Sequence, residues 1–432
     1  MAWWFKAVLW KRVLIALILG VIVGLAFRSF GGTYLVDGVT KYAGADFVTT
    51  WVKPFGDAFV QLIKMLVVPL VFTTLVTGIT AMGHPSKLGT IGLRAFLLYV
   101  FTTLVAVSIG LLFGTFFKPG SGVDFTDVAP KVPDGEVPTM TERLINIIPA
   151  NPLQALASGD MLAIIFFALM LGIAILMVGK KAEPVKVFFE ASVQIMFKIT
   201  HWVMELAPYG VFALITWVTA VKGVETFSSV LMLALALYLG CMTHMLIMYG
   251  GLIKFGLRLP LIRFFRGILD AQVVAYSTST SAGTLPVTIT CVQDNLGVKP
   301  VIAGSVLPLG ATINMDGTSL YLGLLALFAA NAFGIDLSWA DYGIIALTAT
   351  LASIGTASIP SASLFMLAVV LPTIGVTPEQ TALMVGFILP FDRPLDMMRT
   401  LTNVTGDAAV ATAVAKWEGE LDEEVFREVA KV

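Results

Sequence analysis

Apolar stretches of about twenty residues or more recur from end to end of this chain, and nothing constrains its fold more. In lipid every backbone N–H and C=O must find a partner within the protein, so spanning segments are helices or closed barrels. Runs at about 12–28, 47–82, 88–117, 160–179, 184–219 and 224–256 are helix-sized. Several exceed the roughly 20 residues that cross hydrocarbon and must tilt or protrude. Only 13% of residues are charged and 57% are hydrophobic, against about 25% charged in soluble domains. The sequence therefore predicts an all-α polytopic membrane protein. A net charge of −1 supplies no basic field for nucleic acid. Cys241 and Cys291 make no disulfide framework or metal spacing, and His84, His201 and His244 are scattered, which reads as packing or helix-end placement.

Charge between the runs sets an expected topology. Lys6, Lys11 and Arg12 precede an apolar run from Val13 to Phe27, followed by further spans and no small-residue cleavage site. That run reads as a first helix with its N-terminus inside. Basic residues then cluster at Lys87 and Arg94, at Lys180, Lys181 and Lys186, and at Lys254, Arg258, Arg263 and Arg266. The segment from Gly120 to Thr141 carries Asp124, Asp127, Asp134 and Glu136 against Lys131 alone. Six crossings put every basic cluster on the cytoplasmic side and the acidic loop outside. The acidic tail from Trp417 to Val432 reads as a solvated cytoplasmic helix end.

Beyond Arg266 the pattern changes. Ser277-Thr278-Ser279-Thr280-Ser281 runs into Gly283-Thr284-Leu285-Pro286, and Ser353-Ile354-Gly355-Thr356-Ala357-Ser358-Ile359-Pro360 runs into Ser361-Ala362-Ser363. Each surrounding stretch reads as two half-length helices joined by a small-residue tip, a re-entrant hairpin. Such a tip is tolerated at membrane depth only inside protein or beside a water-filled cavity. Each hairpin precedes a polar-centred helix, the first holding Asn314-Met315-Asp316-Gly317 and the second Asn403-Val404-Thr405-Gly406-Asp407. Paired interrupted segments in corresponding positions point to a transporter site at a repeat interface. Hairpins entering from opposite faces would make the pair an inverted repeat. Two Ser/Gly-rich packing faces are the alternative.

The final apolar helix, expected from about Thr381 to Lys416, carries Asp392, Asp396, Arg399, Thr400, Asn403 and Asp407. At about 100° per residue they share an arc of roughly 100°. Charge at bilayer depth costs at least about 2.5 kcal/mol, so this face lines protein or an aqueous cavity. Arg399 offers a planar fork to a carboxylate. Asp396, one turn earlier, can hold an ammonium, and half-helix N-termini at the tips add N–H donors. Together they suit an acidic amino acid. Asp407, Asp316, Asn314 and Asn403 are hard oxygen donors of the kind that suit sodium. Protonation is the other way to neutralise a buried carboxylate.

These residues resemble the glutamate/aspartate transporter family, the dicarboxylate/amino acid:cation symporters that include archaeal aspartate transporters and animal excitatory amino acid transporters. Ser281 to Pro286, Asn314 to Thr318, Gly355 to Pro360, and Asp396-Met397-Met398-Arg399-Thr400 continuing to Asn403 and Asp407 carry the likeness, which covers nearly the whole chain. The resemblance implies eight transmembrane helices, two re-entrant hairpins and a homotrimer in the cell's inner (plasma) membrane, with both termini cytoplasmic. It implies scaffold helices one and two in 1–82 and transport-domain helix three in 83–119. An extracellular loop and scaffold helices four and five would occupy 120–222. The transport domain would continue over 223–416 with helix six, hairpin one, helix seven, hairpin two and helix eight, before a cytoplasmic tail at 417–432. That domain would move as an elevator with the second hairpin as extracellular gate.

By the same resemblance, Arg399 binds the substrate side-chain carboxylate and Asp396 its amino group. Asn403, Thr400, Ser281 and Thr318 complete the shell with backbone at Ser279, Ile359 and Ser363. One sodium site uses Asp407, Asn314 and Asn403. A second uses hairpin backbone at Ser353, Ile354 and Thr356 with Thr312, and a third uses Asp316 and Asn314 with Tyr99, Thr102 and Thr103. Sodium is cargo here, and no organic cofactor is expected.

Several positions depart from the family pattern. A further arginine near the substrate is missing at Ser279 and at Met397, and Arg393, one turn before Met397, is expected to reach the same area. Leu322 stands where proton- and potassium-coupled animal relatives have a glutamate. Ser358, Ser361 and Ser363 replace glycine or other small residues at the second tip. A C4-dicarboxylate carrier would not need Asp396, and proton-coupled glutamate carriers tend to replace the acid at 407, which is retained. An intramembrane hydrolase would need a carboxylate pair such as Asp316 and Asp407, with no Ser/His or His/Glu motif beside them. A passive channel is the third class. The chain is not expected to be an enzyme.

Overall fold

A computed structural model describes residues 9–30, 32–36, 39–81, 85–121, 123, 145, 148–159, 161–223, 227–354, 356 and 361–427. The described chain is mostly helical. Its first helix, α1 (Leu9–Ser29), leads into a small antiparallel hairpin, β1 (Thr33–Val36) with β2 (Val39–Tyr42), in which Thr33 faces Tyr42. The expectation of helices alone misses these strands. Next come α2 (Ala43–Trp51), α3 (Lys53–Ala81), α4 (Pro85–Phe117), α5 (Pro152–Ser158), α6 (Met161–Val178), α7 (Glu183–Glu205) and α8 (Ala207–Lys222). Four described stretches are long and apolar enough to cross a bilayer: Lys11–Ser29, Thr90–Phe117, Ser228–Gly256 and Pro300–Phe333. Shorter apolar helices include Val68–Thr80, Ala207–Val221, Trp339–Ile354 and Ala362–Ile374.

Three runs that read as continuous are broken, each beside a proline. The run at 47–82 divides at Val52 with Pro54 following, and the run at 184–219 divides at Leu206 with Pro208 following. The final helix is two, α18 (Pro378–Ile388) and α19 (Asp392–Glu418), separated by a 3₁₀ turn through Pro390. Proline has no N–H to continue the i→i−4 ladder, so the preceding turn ends. The sixth apolar run is α9 (Phe227–His244) continued by two π-helical turns, Met245–Tyr249 and Leu252–Gly256.

After α10 (Leu261–Gly267) comes the stretch that the sequence reads as the first hairpin. Two ten-residue helices, α11 (Leu269–Thr278) and α12 (Ser281–Thr290), pack on one another about Ser279 and Thr280. Helices α13 (Pro300–Ile313) and α14 (Asp316–Phe333) follow, interrupted at Asn314 and Met315, whose backbones are non-helical. The second polar stretch comprises α15 (Trp339–Ile354), then α16 (Ala362–Phe365) and α17 (Leu367–Val370). Of its tip, Thr356 and Ser361 are described, whereas Gly355, Ala357, Ser358, Ile359 and Pro360 lie outside the described residues, as do Lys6, His84 and the acidic stretch from Asp124.

Two groups of helices pack most closely among themselves, with α18 also touching α3 and α8. Helices α1 and α8 make the most extensive contact, and α3 packs on α6, α7 and α8. Arg12 of α1 pairs with Glu205 at 2.5 Å, and Arg28 donates to the carbonyls of Ala220 and Val221. In the other group, α14 packs on α4, while α11, α13 and α14 surround α19. Within the span Pro300–Phe333, residues 313–330 are wholly buried within protein. The polar break at Asn314 is thereby kept from lipid, where unpaired backbone is costly.

The acidic tail is not simply solvated. Lys299 N donates to Glu420 O at 3.1 Å and Asp422 N to Gly297 O at 2.8 Å, pairing Val298 with Leu421. A last helix, α20 (Glu423–Arg427), buries Phe426 completely against the turn after α12 and against α10. The Lys416 ammonium, with the Arg427 guanidinium, holds the Glu423 carboxyl below its usual range. Phe426→Ala is expected to cost about 3 kcal/mol, read as a lowered thermal midpoint of the detergent-solubilised protein. An unchanged midpoint would mean that the tail is undocked in solution.

Candidate functional site

Arg399 is the centre of the polar face on α19. Its Nη1 donates to Asp392 Oδ1 at 3.0 Å, and its Nη2 to Asp392 Oδ2 at 3.2 Å and Asp396 Oδ1 at 2.7 Å. The Tyr321 ring of α14 lies against the guanidinium, 4.1 Å from Cζ, and the Tyr321 hydroxyl donates to Asp392 Oδ1 at 3.0 Å. The guanidinium is 1% exposed, and its Nε–H has no partner among the described residues. Asp392 and Tyr321 carry no assigned role in the sequence reading. Asp392 shares the polar arc, but Tyr321 lies on another helix and gives no local signal.

The turn between α11 and α12 and the segment just before α16 both reach this cluster. Ser361 N, at the start of α16, donates to Asp396 Oδ2 at 2.9 Å. Ser361 and Ser279 both hold left-handed backbone, with φ of 63° and 55°, a conformation that costs a residue with a Cβ about 1 kcal/mol or more. Ser279, Thr280 and Ser281 of the first tip face Met315, Thr318, Thr356, Ala362, Ser363, Asp396, Thr400 and Asn403 across a shared chamber. Its free volume is about 20 Å³, where about 10–15 Å³ admits one water. No amino acid fits it as it stands. Ser279 Oγ and Ser363 Oγ are buried with no partner among the described residues.

A second polar cluster lies along α13, α14 and α19. Asn314 Nδ2 donates to Asp407 Oδ1 at 2.9 Å and to Asn403 O at 3.0 Å, leaving Asn314 Oδ1 buried without a described partner. Asn403 Oδ1 accepts from Gly317 N at 2.8 Å, tying α19 to the first turn of α14. A Cβ at Gly317 would stand 2.7 Å from Arg399 Cα, so the crossing requires glycine. At Gly310 a Cβ would stand 2.5 Å from the Tyr99 hydroxyl and 3.0 Å from Asp407 Cγ, which places those two groups together. Thr103 donates to Asp316 Oδ1 at 2.7 Å, whereas Thr102 bonds back to Tyr99 O and Tyr99 donates to Val306 O.

Other expectations fare differently. Ser353 and Ile354 end α15, where a helix C-terminus presents partial negative charge, and Thr356 lies just beyond it. Ser353 O accepts from Thr356 N, and Thr312 bonds its own preceding turn, with no described hydrogen bond joining Thr312 to that end. Ile359 lies outside the described residues. Arg393 does not line the chamber. Its Nη2 donates weakly to Ser277 O and Thr278 O at 3.4 and 3.3 Å, because the carbonyls ending α11 lie nearer. Leu322 is fully buried. His244, read as a packing residue, instead contacts Asp316, as does Tyr249. Among the described residues no group of three or more His, Cys, Asp or Glu is arranged to hold a metal.

Residues 9–417 match the sodium:dicarboxylate symporter family. The chain is 36% identical over 413 residues to a proton/sodium-glutamate symport protein of Geobacillus stearothermophilus, covering 93% of this chain and 96% of that protein. It is 32% identical to a proton/glutamate-aspartate symporter of Bacillus subtilis, covering 94% of each. A C4-dicarboxylate transport protein of Rhizobium johnstonii is 33% identical, with coverage of 97% and 90% respectively.

Removing one member of a buried ionic cluster strands the others. Arg399→Ala is expected to cost about 3–5 kcal/mol, measured as loss of stability in detergent. Adding Asp392→Asn should recover part of it, because one of the two stranded carboxylates is then neutral.

Proposed function

This chain belongs to the sodium:dicarboxylate symporter family, and from that premise we propose that it carries aspartate or glutamate into the cell, coupled to sodium, at the chamber between the hairpin tips and α19. The observation that carries this reading is a set of unpartnered buried atoms from separate elements. Arg399 Nε, Ser279 Oγ and Ser363 Oγ are desolvated and lack described partners, a state that costs about 1–3 kcal/mol per group until a ligand satisfies it. Arg399 Nε–H is free to donate to the substrate side-chain carboxylate while Asp392 retains the outer nitrogens. Asp396 then turns from Arg399 toward the substrate ammonium. Thr318, Thr400, Ser281 and Asn403 complete the shell, with backbone of Ser279, Ile359 and Ser363.

Sodium enters the reading as cargo. Asn314 Oδ1, buried and without a donor, suits a hard cation shared with Asp407 and Asn403. Asp407 accepts one described side-chain hydrogen bond, from Asn314, and a buried carboxylate so sparsely served needs countercharge. The remaining ions would use Asp316, Asn314, Tyr99, Thr102 and Thr103, and the end of α15 at Ser353, Ile354 and Thr356 with Thr312. On this reading the chain has eight spans and two re-entrant hairpins, with both termini cytoplasmic, and assembles as a homotrimer. Residues 83–119 and 223–416 move as an elevator against 1–82 and 120–222, and the second hairpin gates the outer side.

Reconstituted vesicles test it. Labelled aspartate or glutamate should accumulate under an inward sodium gradient, with little accumulation of succinate or serine. Drive by a proton gradient alone, or preference for succinate, would favour the proton-coupled or C4-dicarboxylate activity instead. Asp396→Asn should abolish amino-acid uptake. Asp407→Asn should raise the sodium needed for half-maximal uptake by roughly tenfold or more.

A further inference from the structure

The sequence places His244 and Tyr249 five residues apart, which on an α-helix sets them about 140° from each other. Here the chain switches to a π-helical turn over Met245–Tyr249. Its i→i+5 hydrogen bonds bring residues of that spacing onto one face, and such turns recur at functional sites. The two rings meet edge to face, with centroids 4.7 Å apart. Both then converge on one atom. Tyr249 donates to Asp316 Oδ2 at 2.5 Å, and His244 Nε2 lies 3.1 Å from the same oxygen. His244, Tyr249 and Asp316 are each fully buried.

With its proton on Nε2, His244 donates to that oxygen and leaves Nδ1 without a described partner. Two donors therefore fill Oδ2, whereas Oδ1 receives Thr103 alone, at 2.7 Å from α4. The carboxylate is held in one orientation with a single oxygen left accepting.

We propose that His244 and Tyr249 are positioning residues that fix Asp316 so that it offers Oδ1, and Oδ1 only, to a transported cation. The assignment rests on the sodium-coupled reading and extends it to a pair outside the ligand set. Outer partners of this kind hold a ligand's orientation, and losing them weakens cation binding without removing the ligand itself. The π-helical turn gains its purpose here: an α-helical register would carry Tyr249 to another face and leave Oδ2 with one donor.

The test is the sodium dependence of aspartate binding to purified protein and of uptake in vesicles. Tyr249→Phe and His244→Ala should each raise the half-saturating sodium concentration by roughly tenfold, with maximal uptake at saturating sodium largely kept. His244→Gln, whose amide N–H can replace Nε2–H, should restore the wild-type requirement. Tyr249→Phe removes one oxygen and keeps the ring, so it reports even where His244→Ala fails to fold. A sodium-dependent wild type whose Tyr249→Phe and His244→Ala forms need no more sodium would overturn the clamp and leave the coupling intact. A His244→Gln form as impaired as His244→Ala would overturn the hydrogen-bond assignment. A wild type indifferent to sodium would remove the coupled reading and this inference with it.

Discussion

A fully buried guanidinium held by two carboxylates sets the terms for the rest of this molecule. Taking such charges out of water costs several kcal/mol per ion, recovered only where geometry is good and the remaining donors and acceptors are served. Arg399 satisfies that demand with a bidentate contact to Asp392, a third bond to Asp396 and the face of Tyr321. Each partner makes its own demand in turn. Asp396 requires the Ser361 amide, which draws the start of α16 onto α19, and Tyr321 must approach from α14. That approach needs Gly317, whose missing side chain lets the two helices touch. The tertiary arrangement is the means of solvating one cation without water.

Much of this was legible in the sequence, and the part that was not has common causes. Asp392, Asp396, Arg399, Thr400, Asn403 and Asp407 share one arc because α19 is regular, and the structure buries them all. The break between α11 and α12 was visible through its Ser/Thr run, which interrupts hydropathy without polar flanks. Hydropathy alone merges α2 with α3, α7 with α8 and α18 with α19, because Pro54, Pro208 and Pro390 are apolar by that measure while ending a ladder. The partnership of His244 with Tyr249 is hidden for a related reason. Helical periodicity assumes 3.6 residues per turn, and a π turn breaks that count without altering composition. The docked tail is harder still, since Phe426 alone marks it within an acidic stretch.

Asp316 and Asp407 show how neighbouring acids acquire different characters. Asp316 receives Thr103 and Tyr249, and His244 as a third uncharged donor when the neutral imidazole carries its proton on Nε2, so its charge is spread over a preformed shell. Asp407 has Asn314 as its described side-chain donor, and that same amide leaves its own oxygen unserved. The first acid is held ready, and the second is left in need. A cation entering near Asn314 would relieve both the carboxylate and the orphaned amide oxygen in one step.

Charge counting carries the argument for coupling further. Arg399 supplies one positive charge, while Asp392, Asp396, Asp316 and Asp407, when ionised, supply four negative ones, so the buried set sums to −3. An acidic amino acid brings two carboxylates and one ammonium, a further −1, and would leave the interior at −4. In such surroundings a charge is paired or is removed by protonation. On the proposed sodium-coupled reading, with these acids ionised, the substrate cannot settle before cations have, and cations alone would leave Arg399 Nε, Ser279 Oγ and Ser363 Oγ without partners among the described residues. Each passenger lacks what the other provides. On that reading coupling needs no separate device, because a chamber that could not close around either passenger alone would by itself be a symporter.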